Sequence, residues 1–165
     1  MKWDGRITRQ IHAVGADSIG FWIFLSKFGL YGFVIALFVV AFAIKANGAV
    51  IFWFAPAAAA FVVTFFLRYM IRRPRPHFMK PKYTPLLRAW SFPSAHSSVA
   101  LAFATTLSIF VMNGNLAFGF ICSFLFFILA ILISLSRITV GVHYFTDVLA
   151  GALLGIVISV TLVVV

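Results

Sequence analysis

Acidic side chains are nearly missing from this sequence. Of its 165 residues three are Asp or Glu, against thirteen Lys and Arg, and none lies between Asp17 and Asp147. So thin a supply of carboxylates leaves no basis for a magnesium site, which needs hard oxygen ligands. Polar surface is scarce too: 10% of residues are charged, while 64% are hydrophobic and 21 are Phe. A soluble domain of this length needs far more polar surface, so the chain is of the integral membrane class. The single cysteine, Cys122, excludes an internal disulfide and reads as a small core or lipid-facing residue. No internal repeat or low-complexity linker divides the chain, and residues 1–165 read as one membrane domain.

What is present is positive charge, +10 in all. It punctuates hydrophobic runs rather than lining a soluble face, which argues against nucleic acid and for anionic headgroups or a phosphorylated lipid. The first twenty residues mix charged and apolar positions, unlike a signal peptide. Trp3, Ile7, Ile11 and Val14 recur at helical spacing there, predicting an amphipathic helix over Asp4–Val14 within an interfacial segment, residues 1–20.

Five hydrophobic runs follow: Phe21–Ile44 (interrupted by Lys27), Ala49–Ile71, Val99–Met112, Leu116–Leu135 and Phe145–Val165. Each approaches the ~20 residues that cross a bilayer, the third only if its start moves back to about Ser94. Phe21–Lys27 can also be read as a shallow re-entrant helix. Lys45–Gly48 and Asn113–Asn115 are polar breaks suited to helical hairpins, whereas the Pro-rich stretch Arg72–Phe92 cannot continue a helix. The fold class is therefore all-α, a membrane bundle of five or six transmembrane helices with an N-terminal interfacial helix. This threading puts twelve of the thirteen Lys and Arg on one side, with Lys45 alone opposite. The positive-inside rule then places the crowded side in the cytoplasm.

That side carries three clusters. In the first, Arg68 lies inside an apolar run and Arg75-Pro76 follows it, a pair of guanidinium forks suited to phosphate oxygens; a basic flank to a membrane span is the plainer reading. In the second, Pro93-Ser94-Ala95-His96 opens a helix. Ser94 suits an N-cap, the free N–H groups suit an anion, and His96 suits proton donation; alone, it is equally an ordinary capped helix. In the third, Ser136-Arg137 precedes His143, and Asp147 lies four residues beyond. On a helix that spacing puts imidazole and carboxylate on one face, where the carboxylate can hold one ring nitrogen and leave the other as a nucleophile. An ion pair anchoring a helix end competes with that reading. Together the clusters put two His, one Asp and three Arg on one membrane face, the inventory for phosphoryl transfer through a phosphohistidine. Gly151 and Gly155, four apart, read as a helix–helix contact with no catalytic part.

From about Ala49 onward the chain resembles the type 2 phosphatidic acid phosphatase superfamily, which also includes undecaprenyl-diphosphate phosphatases and the vanadium haloperoxidases. The family pattern Lys-x6-Arg-Pro is met by Arg68-x6-Arg75-Pro76, Pro-Ser-Gly-His by Pro93-Ser94-Ala95-His96, and Ser-Arg-x5-His-x3-Asp by Ser136-Arg137-x5-His143-x3-Asp147. Aligning Arg73-Pro74 instead would put Phe66 at the basic position, so Arg75 is preferred. Arg68 replaces the family Lys and Ala95 the family Gly. Relatives commonly have six spans and a site turned outward, whereas the charge count here points inward.

The resemblance implies roles. His143 attacks phosphorus, Asp147 orients it, and His96 protonates the leaving oxygen. Arg68, Arg75, Ser94, the Ala95 backbone N–H and Arg137 hold the phosphoryl oxygens. No metal or other cofactor is expected, since the arginines supply the positive charge. The expected substrate is a lipid-linked phosphate in a bacterial cell membrane, with undecaprenyl or another polyprenyl diphosphate leading. Phosphatidic acid, phosphatidylglycerol phosphate and prenyl-phosphosugars are alternatives. The rivals are a haloperoxidase, which a membrane-embedded chain disfavours, and a non-catalytic lipid-phosphate binder or transporter, which the two histidines disfavour.

Overall fold

The computed structural model describes residues 2–43, 53–77, 90–112 and 116–164. The expected hairpin turns at Lys45–Gly48 and Asn113–Asn115, and Lys80, Lys82 and Arg88 of the long loop, lie outside them. The described residues form six helices in order: α1 (Lys2–Val14), α2 (Ile19–Ala43), α3 (Ala55–Ile71), α4 (Ala95–Met112), α5 (Leu116–Thr139) and α6 (Phe145–Val164). Four of them, α2, α4, α5 and α6, are long and apolar enough to cross a bilayer. The fifth, α3, has 17 residues, at the lower end of the ~17–25 that suffice.

The helix at the centre, α4, packs on α3, α5, α6 and α2. Its sequence is rich in Ala, Ser and Thr, and twelve of its 18 residues are buried. Small side chains let neighbouring backbones approach, which is how helices associate where no hydrophobic force favours one apolar surface over another. Larger aromatics fill the end of the bundle away from the clusters. Phe33 stacks on Phe103 at 5.9 Å, and Trp53 on Phe110 at 4.3 Å. Large apolar residues such as Phe24, Phe38, Phe66, Phe124 and Leu153 face outward and are exposed, as a lipid-facing surface requires.

Several boundaries differ from the hydropathy reading. Phe21–Lys27 is not a separate re-entrant helix: α2 runs unbroken through it. Nothing there breaks a helix, and Lys27, on the exposed face, can snorkel toward the interface from two turns in. The third span begins at Ala95, close to the Ser94 limit that its length demanded. The Arg137 position belongs to the last turn of α5 and not to the following loop, and Arg68 sits in the last turn of α3. Pro56 starts α3 and Arg72, left-handed at φ 50°, ends it.

α1 forms where the periodicity predicts it, but its protein-facing edge is polar. Asp4 and Thr8 are wholly buried, while Trp3 and Val14, from the apolar stripe, are exposed. The helix docks on α5 and α6, with His12 Nδ1 2.6 Å from the Thr139 carbonyl.

Two glycines fix the α4–α6 contact. A Cβ on Gly151 would lie 2.4 Å from the Ser94 carbonyl oxygen, and one on Gly155 2.1 Å from that of Ser98. The helix–helix contact expected of this pair is there, and it abuts the start of α4. Because the obstacle is backbone, Gly155→Ala should cost about 1–3 kcal/mol by overpacking and lower the melting temperature in detergent. Gly20→Ala, with nothing within 4 Å, should leave it unchanged or raise it.

Candidate active site

The return from α5 to α6 explains the spacing of the third cluster. Residues 140–144 fold back over the end of α5: the N–H groups of Val142 and His143 donate to the Arg137 carbonyl at 3.2 and 3.3 Å. Gly141, at φ 81°, supplies the left-handed residue that such a helix end needs. Five intervening residues thus suffice for His143 to return beside Arg137. His143 and Asp147 do not share a helix face, since His143 precedes α6 and Asp147 lies in its first turn. They meet across the helix start instead, Nδ1 standing 3.6 Å from Oδ2, too long for a hydrogen bond. No other partner bonds that buried Nδ1.

Asp147 is held from several directions. The Tyr144 N–H donates to its Oδ2 at 2.9 Å, a carboxylate in the first turn reaching back to the N-cap. Arg73 donates to its Oδ1 at 2.7 Å. The Asp147 carbonyl accepts from the Ser94 N–H at 2.9 Å, which ties the start of α4 to that of α6. The Ser94 hydroxyl lies 3.5 Å from the Ser97 N–H, at N-cap position, and accepts from the Ser97 hydroxyl at 3.0 Å.

The three arginines singled out by the sequence reach the same end of the bundle. Arg68 Nε donates to the Pro93 carbonyl at 2.9 Å, joining the first cluster to the second. Arg75 donates to the Val142 carbonyl at 2.8 Å, joining it to the third. Arg137, 2% exposed, is anchored by the backbone carbonyl and hydroxyl of Ser26 on α2. The charges of Arg137, Arg68 and Arg75 act on both His96 and His143. His96 is half-buried in the first turn of α4, next to Ala95. Among the described residues no three His, Cys, Asp or Glu side chains gather as a metal site would require.

Two residues at this site escaped the sequence reading. Arg73 donates to Asp147, to the Thr146 hydroxyl at 2.6 Å and to Asp4 Oδ2 at 2.6 Å, with its guanidinium 4.0 Å above the Tyr144 ring. Asp4 also accepts from the Thr146 N–H at 3.1 Å, and Thr8 accepts from the Phe145 N–H at 3.1 Å. Helix α1 therefore caps α6 from a distant segment, satisfying N–H groups that a helix start leaves open. The available signal was scarcity: with three carboxylates in the chain, a buried one needs a cation nearby.

A helical membrane bundle with two imidazoles, two buried carboxylates and four guanidinium groups at one end defines a class, the membrane proteins equipped to handle oxyanions. The PAP2 superfamily model matches residues 48–165, and the chain belongs to that superfamily of membrane lipid phosphatases. Among solved structures it is similar to a transmembrane PAP2-type phosphatidylglycerolphosphate phosphatase from Bacillus subtilis, with a TM-score of 0.77 and 23% identity over 98% of this chain and 83% of that one. It is also similar to Aquifex aeolicus LpxE, with a TM-score of 0.76 and 24% identity over 97% and 94%. At these identities the likeness is one of fold. No curated protein sequence matches the chain.

Burial and the neighbouring charges of Arg137, Arg75 and Arg68 push the His143 imidazole well below its ordinary pKa, with the Ser91 backbone acting weakly in the opposite direction. The ring is then neutral at pH 7, the state that has a lone pair to offer. Its unfolded counterpart takes a proton near pH 6.5, so below that pH the unfolded state binds more protons and stability falls as pH falls. In a histidine NMR titration of the folded protein, His143 should keep its neutral-form signals as pH passes downward through 6.5. A midpoint at or above 6.5 would contradict this electrostatic account.

Proposed function

We propose that the protein is a metal-independent lipid phosphatase that works through a phosphohistidine on His143. The observation that carries this reading is how three arginines are tied beside the two imidazoles: Arg68 to the Pro93 carbonyl, Arg75 to that of Val142, and the Arg137 carbonyl to the His143 N–H. Neutral His143 attacks the terminal phosphorus as the bond from phosphorus to the lipid-side oxygen breaks, and His96 gives that oxygen its proton. Water then attacks the phosphohistidine, the phosphorus–nitrogen bond breaks and inorganic phosphate leaves, with a proton returning to His96. Charge on the equatorial oxygens is met by Arg68, Arg75, Arg137, Ser94 and the N–H groups at the start of α4, fixed donors that need no reorganisation. Asp147 stabilises the positive ring that forms on His143.

Two substrate classes fit this scheme. Polyprenyl diphosphate leads from the family's small members, and phosphatidylglycerol phosphate is named for the Bacillus subtilis neighbour. Both present a terminal phosphate at the interface while their chains stay in the bilayer. His143→Ala should abolish phosphate release in detergent from a panel holding both lipids, with the melting temperature near that of the unaltered protein. Turnover that survives in the folded variant removes the mechanism.

The site would face the cytoplasm, where the positive-inside rule puts the side to which the sequence threading assigns twelve of the thirteen Lys and Arg. In a Cys122→Ala background, Arg6→Cys at the site end should resist an impermeant thiol reagent in intact cells. Leu116→Cys, at the start of α5, should react; the reverse pattern turns the site outward.

A further inference from the structure

Helix α1 does more than lie at the membrane surface. Its Asp4 is wholly buried, although its only covalent link to the site runs through the whole bundle. One oxygen of Asp4 takes the Arg73 guanidinium at 2.6 Å, and another nitrogen of the same guanidinium takes Asp147 Oδ1 at 2.7 Å. The fork is thus stretched between two carboxylates and pressed on Tyr144, 4.0 Å below it. Thr146, beside Asp147, is bound to both Asp4 and Arg73. The other oxygen of Asp147 is the one turned to His143.

We propose that Asp4 and Arg73 form a positioning relay, in which Asp4 fixes Arg73 and Arg73 fixes Asp147, so that one carboxylate oxygen is presented to the nucleophilic ring. This rests on the reading of His143 as the nucleophile. Neither Asp4 nor Arg73 touches that ring, so both act through Asp147, as outer partners act on inner ones. A planar two-pronged cation is required, since an ammonium cannot hold two carboxylates in fixed planes.

The test compares Asp4→Asn, Arg73→Lys and Arg73→Gln with the unaltered protein, by phosphate release from detergent-solubilised lipid phosphate. Each variant should lose about 10–100-fold in kcat while KM stays within about twofold, because the phosphate-holding groups are untouched. The pH profile adds a readout that mere loss of packing would not give. Arg137, Arg75, Arg68, His96 and Asp147 face His143, and none of them is replaced in any variant. Removing the cation in Arg73→Gln should move the acidic limb of kcat/KM to higher pH, and removing the anion in Asp4→Asn should move it to lower pH. The double variant should be no slower than Arg73→Gln alone, the non-additivity of groups that act in series.

Arg73→Lys keeps the charge and serves if the other variants fail to fold: a lowered kcat with a nearly unmoved acidic limb supports the relay. Arg73→Lys and Asp4→Asn at the unaltered rate, or additive losses with a raised KM, overturn it. If His143→Ala remains active, the nucleophile assignment fails instead. If His143→Ala is inactive while these variants turn over normally, the relay alone fails.

Discussion

The structure depends on how a buried carboxylate is compensated. Asp147 is wholly buried at the end of a hydrophobic bundle, where an unpaired charge is not tolerated. The guanidinium of Arg73 and the Tyr144 N–H meet it, and around this arrangement the chain ends of α3, α4, α5 and α6 are drawn together. The same carboxylate faces His143 from the side that Arg73 leaves open. One ion pair thus ties the ends of the helices together and leaves the second carboxylate oxygen turned toward the ring.

The excess positive charge at the site end follows from arithmetic on the whole chain. Thirteen Lys and Arg confront three carboxylates, so most of the basic charge has no internal counter-charge. At the site end Arg68, Arg75 and Arg137 each bond a backbone carbonyl, of Pro93, Val142 and Ser26, whereas Arg73 is held by carboxylates. Carbonyls direct a guanidinium without cancelling its charge. In the function proposed above, a phosphate would meet that field, and its binding would relieve the mutual repulsion of the cations. The close approach of α6 to α4 at Gly151 and Gly155 fixes the start of α4, which carries Ser94 and His96, against α6.

Much of this was legible in the sequence, and the exceptions share a cause. The Ser136-Arg137-x5-His143-x3-Asp147 spacing is local, and it maps onto a helix end, a glycine turn and a helix start. Length arithmetic alone moved the start of the third span back toward Ser94. Arg73 was read only as a rival alignment for Arg75, and Asp4 only as part of an interfacial helix, because their partner is 69 residues away. Periodicity analysis also selects the stripe that faces lipid, Trp3 and Val14 here, so the buried polar edge of α1 was invisible to it. The re-entrant alternative for Phe21–Lys27 arose for a related reason. Hydropathy registers Lys27 as an interruption, while its side chain is long enough to leave the helix undisturbed.

The two departures from the family motifs differ in consequence. Ala95 stands where the family has glycine, yet the chain's one positive-φ non-glycine position among the described residues is Arg72. The backbone at Ala95 is therefore ordinary helix, and the alanine adds a methyl group without strain. Arg68, in place of lysine, changes more. Its Nε is committed to the Pro93 carbonyl, which fixes the second cluster against the first. A lysine ammonium could bond the same carbonyl, but as a point charge with no fixed plane. A guanidinium bonded through Nε has its remaining N–H groups set in one plane by that bond. The substitution trades a mobile point charge for an oriented one, tied to the segment that leads into the helix carrying His96.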